Sequence, residues 1–396
     1  MRIADNVACN EVHENIRPSK RYLIIINDIQ FLYSHFWALA ISIQQAGWDV
    51  IVAARCETSP QQAIDVGIQF IPLKLKVGVG GPISEIKSAL ALRAVIHSIN
   101  PDIVHLVSIK NVLIGGLIVS RRNNVALLGA ITGLGSLFVE TNIFYLLLRP
   151  LVLYGMKYVF KYPRSIMALE NTADQQFFVE NKVVDDVKCS VIPGAGIDID
   201  SIFPNPHNNV VPVIICVSRM IRNKGILNLI DAAQILHREG VRFELLLVGD
   251  IDVNNPTSLS REELRTAEEN SIVKWLGYRI DIPHLIANSD IFCLPSYYRE
   301  GLPRALVEAS AAGCSIVTTD IPGCREVVVN GVNGILVPPR DTILLAGALR
   351  CLLKDAMTCK QMGMESRKRF EQLFTTASVF AAFNRCYNAL DISLQV

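Results

Sequence analysis

Short, uniformly apolar runs alternate with longer helical stretches along most of this chain. In the first half, the runs are RYLIIIN, DVIVAA, IQFIPL, DIVHLV, VALLGAI, SIMALE and CSVIPGAGID. In the second half, they are VPVIICV, FELLLVGD, SIVKWLGY, SDIFCLP, CSIVTTD and GILVPP. Runs that are apolar on both faces indicate parallel strands covered by helices on both sides. The alternation therefore predicts an α/β fold built from doubly wound, Rossmann-like sheets.

Two such domains are predicted to face each other across a cleft. A polar link rich in Pro and Asn, FPNPHNN at residues 203–209, separates the two series of runs. We expect a loose N-terminal extension over residues 1–20, an N-terminal domain over 21–205 and a C-terminal domain over 206–375. The segment 376–396 begins with a helix whose apolar spacing leaves two alternatives: it packs on the second domain, or it crosses back to the first.

The bulk properties of the chain exclude several classes of protein. Its 396 residues are enough to form two cores. A net charge of +1 argues against nucleic acid as the main partner, because binding to phosphates needs a basic excess. The ten cysteines stand singly, without a C-x-x-C pair, which is typical of buried thiols in a reducing compartment and not of disulfides or a zinc site. Since no signal-like run opens the sequence and no stretch holds the roughly 18 uncharged apolar residues of a membrane span, we expect a cytoplasmic protein.

Two glutamates flank a predicted helix start in the stretch SYYREGLPRALVEASAAG, residues 296–313. Pro303 suits the first helical turn, where its missing N–H costs nothing, and this places Glu300 in the turn ahead of the helix. Glu308 then lies about 7–8 Å further along the axis, at about 1.5 Å per residue. The helix N-terminus between them attracts anions. Two hydroxyl-binding acids around an anion-binding point suit a sugar nucleotide, and a surface amphipathic helix with two solvated acids is the alternative.

A basic loop, SRMIRNKG, follows the first strand of the second series. Arg219 and Lys224 stand in this loop at the carboxyl end of the strand, where open α/β sheets bind ligands. Gly225 allows the turn into the next helix. Two cations and a helix N-terminus would hold a diphosphate and stabilise the negative charge that grows on it as it leaves. A basic surface loop is the alternative.

Motifs of the second half carry a resemblance to a known family. They are, in order, SRMIRNKG, VGD, WLGYRIDIPHLIANSDIFCLPS, a Glu–seven residues–Glu pair and TDIPGCREVVVNGVNGILVPPRD. With these motifs the chain resembles the retaining enzymes of glycosyltransferase family 4, whose GT-B fold consists of two Rossmann-like domains facing a cleft. The resemblance spans the whole predicted C-terminal domain.

This resemblance implies a role for each polar residue of the C-terminal site. Arg219 and Lys224 would clamp the donor diphosphate. Glu300 would hold hydroxyls of the donor sugar, and Glu308 would bind the nucleotide ribose. The backbone expected beside the donor sugar is that of Gly301, Leu302 and Pro303. The residues expected against the base are Gly277, Tyr278 and Arg279. We expect catalysis to rest on Arg219, Lys224 and Glu300.

The first half is similar to a subgroup of this family that extends sugars linked to polyprenyl diphosphate. The similar stretches are NDIQFLYSHFWALA, PDIVHLVSIKNVLIGGLI, ITGLGSLF and IPGAGID. Many family members carry a His just before the glycines of the third stretch, where this chain has Thr132 followed by Gly133. A hydroxyl donates a hydrogen bond but cannot hold a positive charge. His35 and His105 are the other polar candidates near the cleft, and a structural histidine is the alternative for each.

A basic and apolar region lies between residues 103 and 169. It contains seven Lys or Arg residues and a single acid, Glu140. Within it, NIFYLLLRPLVLYGMKYVFKYPR mixes apolar and aromatic residues with cations, and Arg149 and Pro150 interrupt it. The pattern predicts a pair of interfacial helices on anionic lipid, since apolar burial and about 1 kcal/mol per cation near the surface add. A hydrophobic helix packed on its own domain or on a dimer partner is the alternative.

The resemblance implies a retaining glycosyltransferase. It would move a hexose or N-acetylhexosamine from a nucleotide donor, expected to be UDP-linked, to a soluble or polyprenyl-diphosphate-linked glycan in surface polysaccharide synthesis. We expect a peripheral enzyme at the inner face of the plasma membrane. We expect no cofactor or metal beside the nucleotide sugar, because no Asp-x-Asp pair offers itself in the cleft. The alternatives are a GT-B sugar-nucleotide epimerase and a catalytically retired transferase that acts as a scaffold in glycan assembly.

Overall fold

The computed structural model describes residues 19–394 apart from 57–59, 74–80, 123, 140–141, 206–208, 254 and 270–272. The extension predicted over residues 1–20 lies outside the described residues except for its last two. The centre of the predicted link at 203–209 also lies outside them. The described strands form two parallel sheets, one from each series of apolar runs.

The first sheet holds the seven strands described in the N-terminal half. They are β1 (Arg21–Asp28), β2 (Asp49–Arg55), β3 (Gln69–Pro72), β4 (Ile103–Val107), β5 (Ala126–Ile131), β6 (Ser165–Leu169) and β7 (Cys189–Val191). Their order is β3-β2-β1-β4-β5-β6-β7, and all neighbours are parallel. β4, β5 and β6 are buried at every position, because helices cover both faces of the sheet.

The helices described around this sheet are α1 (Ile29–Phe31), α2 (Trp37–Gln45), α3 (Gln61–Asp65), α4 (Pro82–Ile99), α5 (Ile109–Val119), α6 (Gly135–Val139), α7 (Ile143–Phe160) and α8 (Thr172–Glu180). A π-helical turn, Leu32–Phe36, joins α1 to α2. Helices α4, α5 and α7 pack on one face of the sheet, and α2 and α3 pack on the other. This is the doubly wound arrangement that the sequence predicts.

The second sheet holds the six strands described in the C-terminal half. They are β8 (Val213–Val217), β9 (Glu244–Val248), β10 (Val273–Trp275), β11 (Ile291–Leu294), β12 (Ser315–Thr319) and β13 (Gly334–Val337). Their order is β10-β9-β8-β11-β12-β13, again all parallel. The helices are α9 (Ile226–Arg238), α10 (Arg261–Glu268), α11 (Ile282–Ala287), α12 (Arg304–Ala311), α13 (Pro322–Val327), α14 (Thr342–Lys354), α15 (Ala356–Leu373) and α16 (Thr376–Ala389).

Strand order changes direction at one point in each sheet. In the first sheet it lies between β1 and β4, and in the second between β8 and β11. Ligands of open α/β sheets bind outside the carboxyl ends of strands at such a switch point. The loops that follow β8 and β11 carry Arg219, Lys224 and Glu300, whereas the residues expected against the base follow β10.

The last helix, α16, crosses back and completes the core of the first domain. Val379 and Phe383 of α16 lie in the same buried cluster as residues of β1, β2 and β4. The hydroxyl of Tyr387 lies 2.9 Å from that of Tyr22, which in turn lies 3.0 Å from Nδ1 of His105. These three side chains are fully buried. The apolar spacing left two placements open for this helix. In the structure it crosses back and packs on the first domain.

The apolar region around Arg149 and Pro150 is one helix, so the predicted pair of helices is wrong. α7 runs through Pro150, which lacks the N–H that would bond to the carbonyl of Leu146. Pro150 and Leu146 are both exposed, so water can hydrogen-bond to the carbonyl of Leu146. By length and composition α7 is apolar enough to cross a membrane, with 22% of it buried in the protein. Its inner side packs tightly on α5, since a Cβ on Gly116 would lie 2.5 Å from Cγ1 of Val159.

Candidate active site

A cleft of about 520 Å³ lies between the two sheets. From the first domain it is lined by Phe31, His35, Thr132, Gly133, Gly135 and Glu170. From the second domain the polar lining residues are Ser218, Arg219, Lys224, Tyr298, Arg299, Glu300 and Arg304. Most of these residues follow the carboxyl ends of strands, the edge at which α/β proteins bind ligands.

Lys224 and Glu300 form an ion pair within the cleft. Nζ of Lys224 lies 2.5 Å from Oε2 of Glu300, and their side chains are only 15% and 18% exposed. The hydroxyl of Ser296 donates to Oε1 of Glu300 at 2.9 Å. The pair forms because Gly225 (φ +74) brings the loop after β8 against the loop after β11. A Cβ at Gly225 would lie 2.0 Å from the carbonyl oxygen of Pro295, so glycine is required.

Arg219 differs from Lys224 in its surroundings. Its side chain is 62% exposed, and Nη1 lies 2.7 Å from Oδ2 of Asp252. Asp250 and Asp252 form an Asp-x-Asp sequence, but neither is among the residues that line the cleft. Oδ1 of Asp250 lies 3.9 Å from Nη2 of Arg261, so each aspartate has an arginine beside it. Among the residues that the structure describes, no group of three His, Cys, Asp or Glu side chains is arranged to hold a metal.

The helix between the two glutamates begins one residue later than predicted. Pro303 is the N-cap of α12, with extended backbone (φ −67, ψ 108), and Arg304 is the first helical residue. Oε1 of Glu308 accepts a hydrogen bond from Nε of Arg304 at 2.8 Å. The same guanidinium donates through Nη1 to the carbonyl of Ser34 in the first domain. Arg304 therefore connects the residue expected to bind ribose to the opposite wall of the cleft.

The residues expected against the base lie apart from this cleft. They follow β10, an edge strand of the second sheet, and comprise Gly277, Tyr278 and Arg279. The side chain of Tyr278 is 75% exposed. Arg279 donates from Nε and Nη2 to the carboxylate of Asp281 at 2.8 and 2.6 Å. The structure brings none of the three into the lining of the cleft, and their role at the base stays a prediction.

His35 lies in the π-helical turn at the wall of the first domain. Its ring stacks on Phe31 with centroids 4.0 Å apart, and Nδ1 lies 2.7 Å from the hydroxyl of Ser34. Burial and the nearby charge of Arg304 lower the pKa of His35 to about 4. The imidazole is therefore neutral at pH 7. Turns of this kind are frequent at functional sites, and Thr132 lies in the same cleft.

His105 is not a cleft residue, which corrects the prediction. It lies within β4, is fully buried and contacts the rings of Phe36 and Phe383. Burial lowers its pKa to about 3. The apolar pattern of the strand could not indicate the burial of His105, because both faces of β4 are buried and no alternation marks one of them.

Several functional candidates were missed in the sequence. Glu170 follows β6 directly, and its Oε2 accepts a hydrogen bond from the backbone N–H of Leu302 at 2.9 Å. Burial raises the pKa of Glu170 to about 8, with smaller effects from Asp174 and Glu300. Asn171 and Asp174 also contact the loop that carries Glu300. The available signal was an acid directly after a buried strand, at the edge where ligands bind.

The sequence matches two family profiles. The profile described as "Glycosyl transferases group 1" matches residues 198–369, and "Glycosyl transferase 4-like" matches residues 23–162. Together they cover more than three quarters of the chain.

Curated relatives and solved structures agree with these matches. The N,N'-diacetylbacillosaminyl-diphospho-undecaprenol alpha-1,3-N-acetylgalactosaminyltransferase of Campylobacter jejuni is 27% identical, over 78% of this chain and 82% of the relative. The UDP-Gal:alpha-D-GlcNAc-diphosphoundecaprenol alpha-1,3-galactosyltransferase of Escherichia coli is 24% identical, over 67% and 70%. The Anabaena protein HepE, solved in complex with UDP, superposes with a TM-score of 0.72 at 18% identity, over 93% and 100%. The fold predicted from the sequence is thus confirmed.

Proposed function

Because this chain belongs to the family 4 glycosyltransferases of GT-B fold, we propose that it transfers a hexose or N-acetylhexosamine from a UDP-linked donor to a sugar carried on polyprenyl diphosphate. The proposal includes retention of configuration at the anomeric carbon and a role in surface polysaccharide synthesis. The observation that carries it is the ion pair of Lys224 and Glu300 in the cleft between the two domains.

This pair suits both ends of a sugar diphosphate. The ammonium of Lys224 would contact the diphosphate and stabilise the charge that develops as it leaves. The carboxylate of Glu300 would accept hydrogen bonds from sugar hydroxyls, with Ser296 holding its other oxygen. Glu308, on the second turn of α12, would accept from ribose hydroxyls in place of Arg304. Arg219, which also lines the cleft and has a side chain that is 62% exposed, would add a second cation.

We propose that these cations take the place of a metal ion. Lys224 and Arg219 both line the cleft, so the leaving diphosphate would meet two positive charges there. Asp252, the nearest acid to Arg219, already has that guanidinium as its partner. The expected outcome is an undiminished rate in the presence of EDTA, and a loss of activity restored by Mg²⁺ or Mn²⁺ would overturn this part of the proposal.

The proton of the acceptor hydroxyl needs a base on the same face as the leaving group. His35 has a lowered pKa and is neutral, so it can accept or donate one hydrogen bond. In a retaining enzyme of this family, the departing phosphate would itself take the proton. Contacts between the domains, such as that of Arg304 with the carbonyl of Ser34, would hold the cleft closed around the reacting groups. Exclusion of water would then favour transfer over hydrolysis.

The acceptor is proposed from the relatives. Both curated relatives described above carry a sugar–diphospho–undecaprenol in their names, and the second also carries UDP-Gal. Each spans more than two thirds of this chain, including residues of the first domain, where the acceptor would bind. A lipid-linked acceptor also explains why the first domain would need a surface for lipid.

We propose that the outer side of α7 is that surface. Its large exposed side chains are apolar or aromatic, and they are Ile143, Phe144, Leu146, Leu147, Leu151, Tyr154 and Tyr158. Lys157 and Lys161 stand at its C-terminal end. Apolar side chains beside cations suit an anionic lipid surface. The enzyme would then work at the cytoplasmic face of the membrane.

The test is a screen of donors against a defined acceptor. Purified protein is incubated with UDP-Glc, UDP-Gal, UDP-GlcNAc or UDP-GalNAc and with a polyprenyl diphosphate bearing one sugar, and mass spectrometry detects the extended lipid. We expect one donor to be consumed only when the acceptor is present. Conversion of the donor without acceptor would indicate an epimerase instead. Absence of UDP binding by calorimetry would indicate a scaffold.

A further inference from the structure

The loop that carries Glu300 is held by side chains of the opposite domain. Nη2 of Arg299 lies 2.8 Å from Oδ1 of Asp174. Nδ2 of Asn171 donates to the carbonyl of Gly301 at 3.1 Å. The backbone N–H of Leu302 donates to Glu170 at 2.9 Å. Contacts at residues 299, 301 and 302 thus flank Glu300, the residue expected to hold the donor sugar.

We propose that Asp174, together with Asn171 and Arg299, is a positioning residue that fixes the Glu300 loop for sugar transfer. This inference rests on the proposed function. None of the three needs to touch the sugar. Their effect is to define where the Glu300 carboxylate stands once the domains have closed over the donor.

The backbone of the Glu300 loop packs closely against the backbone of the first domain, because glycines stand at the point of contact. A Cβ on Gly301 would lie 2.1 Å from Oε2 of Glu170 and 2.5 Å from the carbonyl oxygen of Thr132. A Cβ on Gly133 would lie 3.1 Å from the backbone nitrogen of Gly301. The loop therefore sits directly against the wall of the first domain. Small displacements of a catalytic group cost large factors in rate, so such a fit has a direct effect on turnover.

Asp174 is the centre of this arrangement. Its side chain is 1% exposed, and its two oxygens serve different donors. Oδ1 accepts from Arg299 of the second domain, and Oδ2 accepts from Nδ2 of Asn171 at 2.9 Å. Asn171 in turn accepts the backbone N–H of Asp174 at 2.8 Å, which fixes its amide. Because the buried carboxylate of Asp174 pairs with the guanidinium of Arg299 in the other domain, this pair holds the loop in position only when the two domains are closed.

The substitution Asp174→Asn tests this arrangement with little change in shape. An amide has one acceptor where the carboxylate has two, so its NH2 group must face either Arg299 or Asn171. We expect kcat to fall by about 10- to 100-fold, the effect of losing one charge-assisted hydrogen bond. UDP affinity should stay within about threefold of wild type, because the expected nucleotide contacts belong to the second domain alone.

Three further measurements separate positioning from mere stability. Hydrogen exchange with UDP bound should be faster over residues 298–302 in the variant. Arg299→Gln should lower kcat similarly, and the double variant should be no worse than either single one. The matched control is Glu239→Gln, which breaks an exposed carboxylate–guanidinium pair with Arg350 at 2.6 Å on the other side of the second domain. It should leave both kcat and exchange at 298–302 unchanged.

The inference is overturned if Asp174→Asn has a normal kcat, if exchange at 298–302 equals that of wild type, or if the losses from Asp174→Asn and Arg299→Gln simply add. A variant that merely melts lower, with kcat intact at low temperature, would also overturn it. Failure of the proposed function looks different, since wild-type protein would then transfer no sugar from any donor. In that case exchange at 298–302, measured without UDP, still decides whether Asp174 holds the loop.

Discussion

Replacing Glu170 by Gln is expected to remove a pH dependence from closure of the cleft. Burial, with smaller contributions from Asp174 and Glu300, raises the pKa of Glu170 from 4.5 to about 8. The carboxyl is therefore largely protonated at pH 7 in the closed cleft, where it accepts the N–H of Leu302. When the domains open, water reaches the carboxyl and its pKa falls toward the ordinary value. Closure then takes up a proton.

The sign and size of the effect follow from this difference. Because the pKa is raised in the closed form, the stabilisation of that form is fully present below about pH 4.5 and is lost as the pH rises through about 8. Each pH unit costs about 1.4 kcal/mol. Between pH 4.5 and pH 7 the loss is about 3 kcal/mol when opening hydrates the carboxyl completely, which sets the upper limit.

The assay compares kcat/KM for the donor in wild type and Glu170→Gln between about pH 5.5 and about pH 9. The ratio of the two cancels titrations that both proteins share. Gln keeps an acceptor for Leu302 and needs no proton, so the ratio of variant to wild type should rise with pH, by up to about tenfold per unit. Parallel profiles would refute the reasoning. Glu170→Ala lacks the acceptor and should be slower at every pH.

Other substitutions test the donor site and the lipid surface. Lys224→Ala should lower kcat by about 10²- to 10³-fold with an unchanged circular dichroism spectrum, because a preorganised charge at the leaving diphosphate is lost; near-normal turnover would exclude the diphosphate contact. Glu308→Ala should weaken UDP binding in calorimetry by about tenfold, the effect of one hydrogen bond to a charged group, and an unchanged Kd would exclude a ribose contact. Polar replacement of Leu147, Leu151 and Tyr154, three outward residues of α7, should release the protein from anionic vesicles in a sedimentation assay. Replacement of Ile343 on α14, which is equally exposed, should not. Unaltered partitioning of the triple variant would contradict the proposed lipid surface.

The strands and the C-terminal wall of the cleft could be predicted because their signals are local. Every predicted apolar run contains a described strand, since both faces of these sheets are covered and the runs are uniformly apolar. Arg219, Lys224 and Glu300 line the cleft because each follows a strand near the switch point of its sheet. Their roles toward a donor remain predictions.

The contacts across the cleft could not be predicted, since they join residues far apart in the chain. Asp174 and Arg299 are 125 positions apart, and Glu170 and Leu302 are 132 apart. Periodicity reports only on neighbours within a turn or a strand. It gave no means of telling the cleft histidine, His35, from the buried one. The sequence also wrongly predicted that the helix would be divided at Pro150. Whether a proline interrupts a helix depends on which side of the helix it faces, and the sequence pattern did not give this for α7.

The crossing of α16 has a consequence for how the cleft can open. The chain passes between the domains twice, and the two passages are joined side by side. The N–H of Ile197 donates to the carbonyl of Phe374 at 3.0 Å, and the N–H of Thr376 donates to the carbonyl of Ile197 at 3.0 Å. Because these two bonds join the passages at one place, we expect them to form the hinge about which the two domains rotate when the cleft opens.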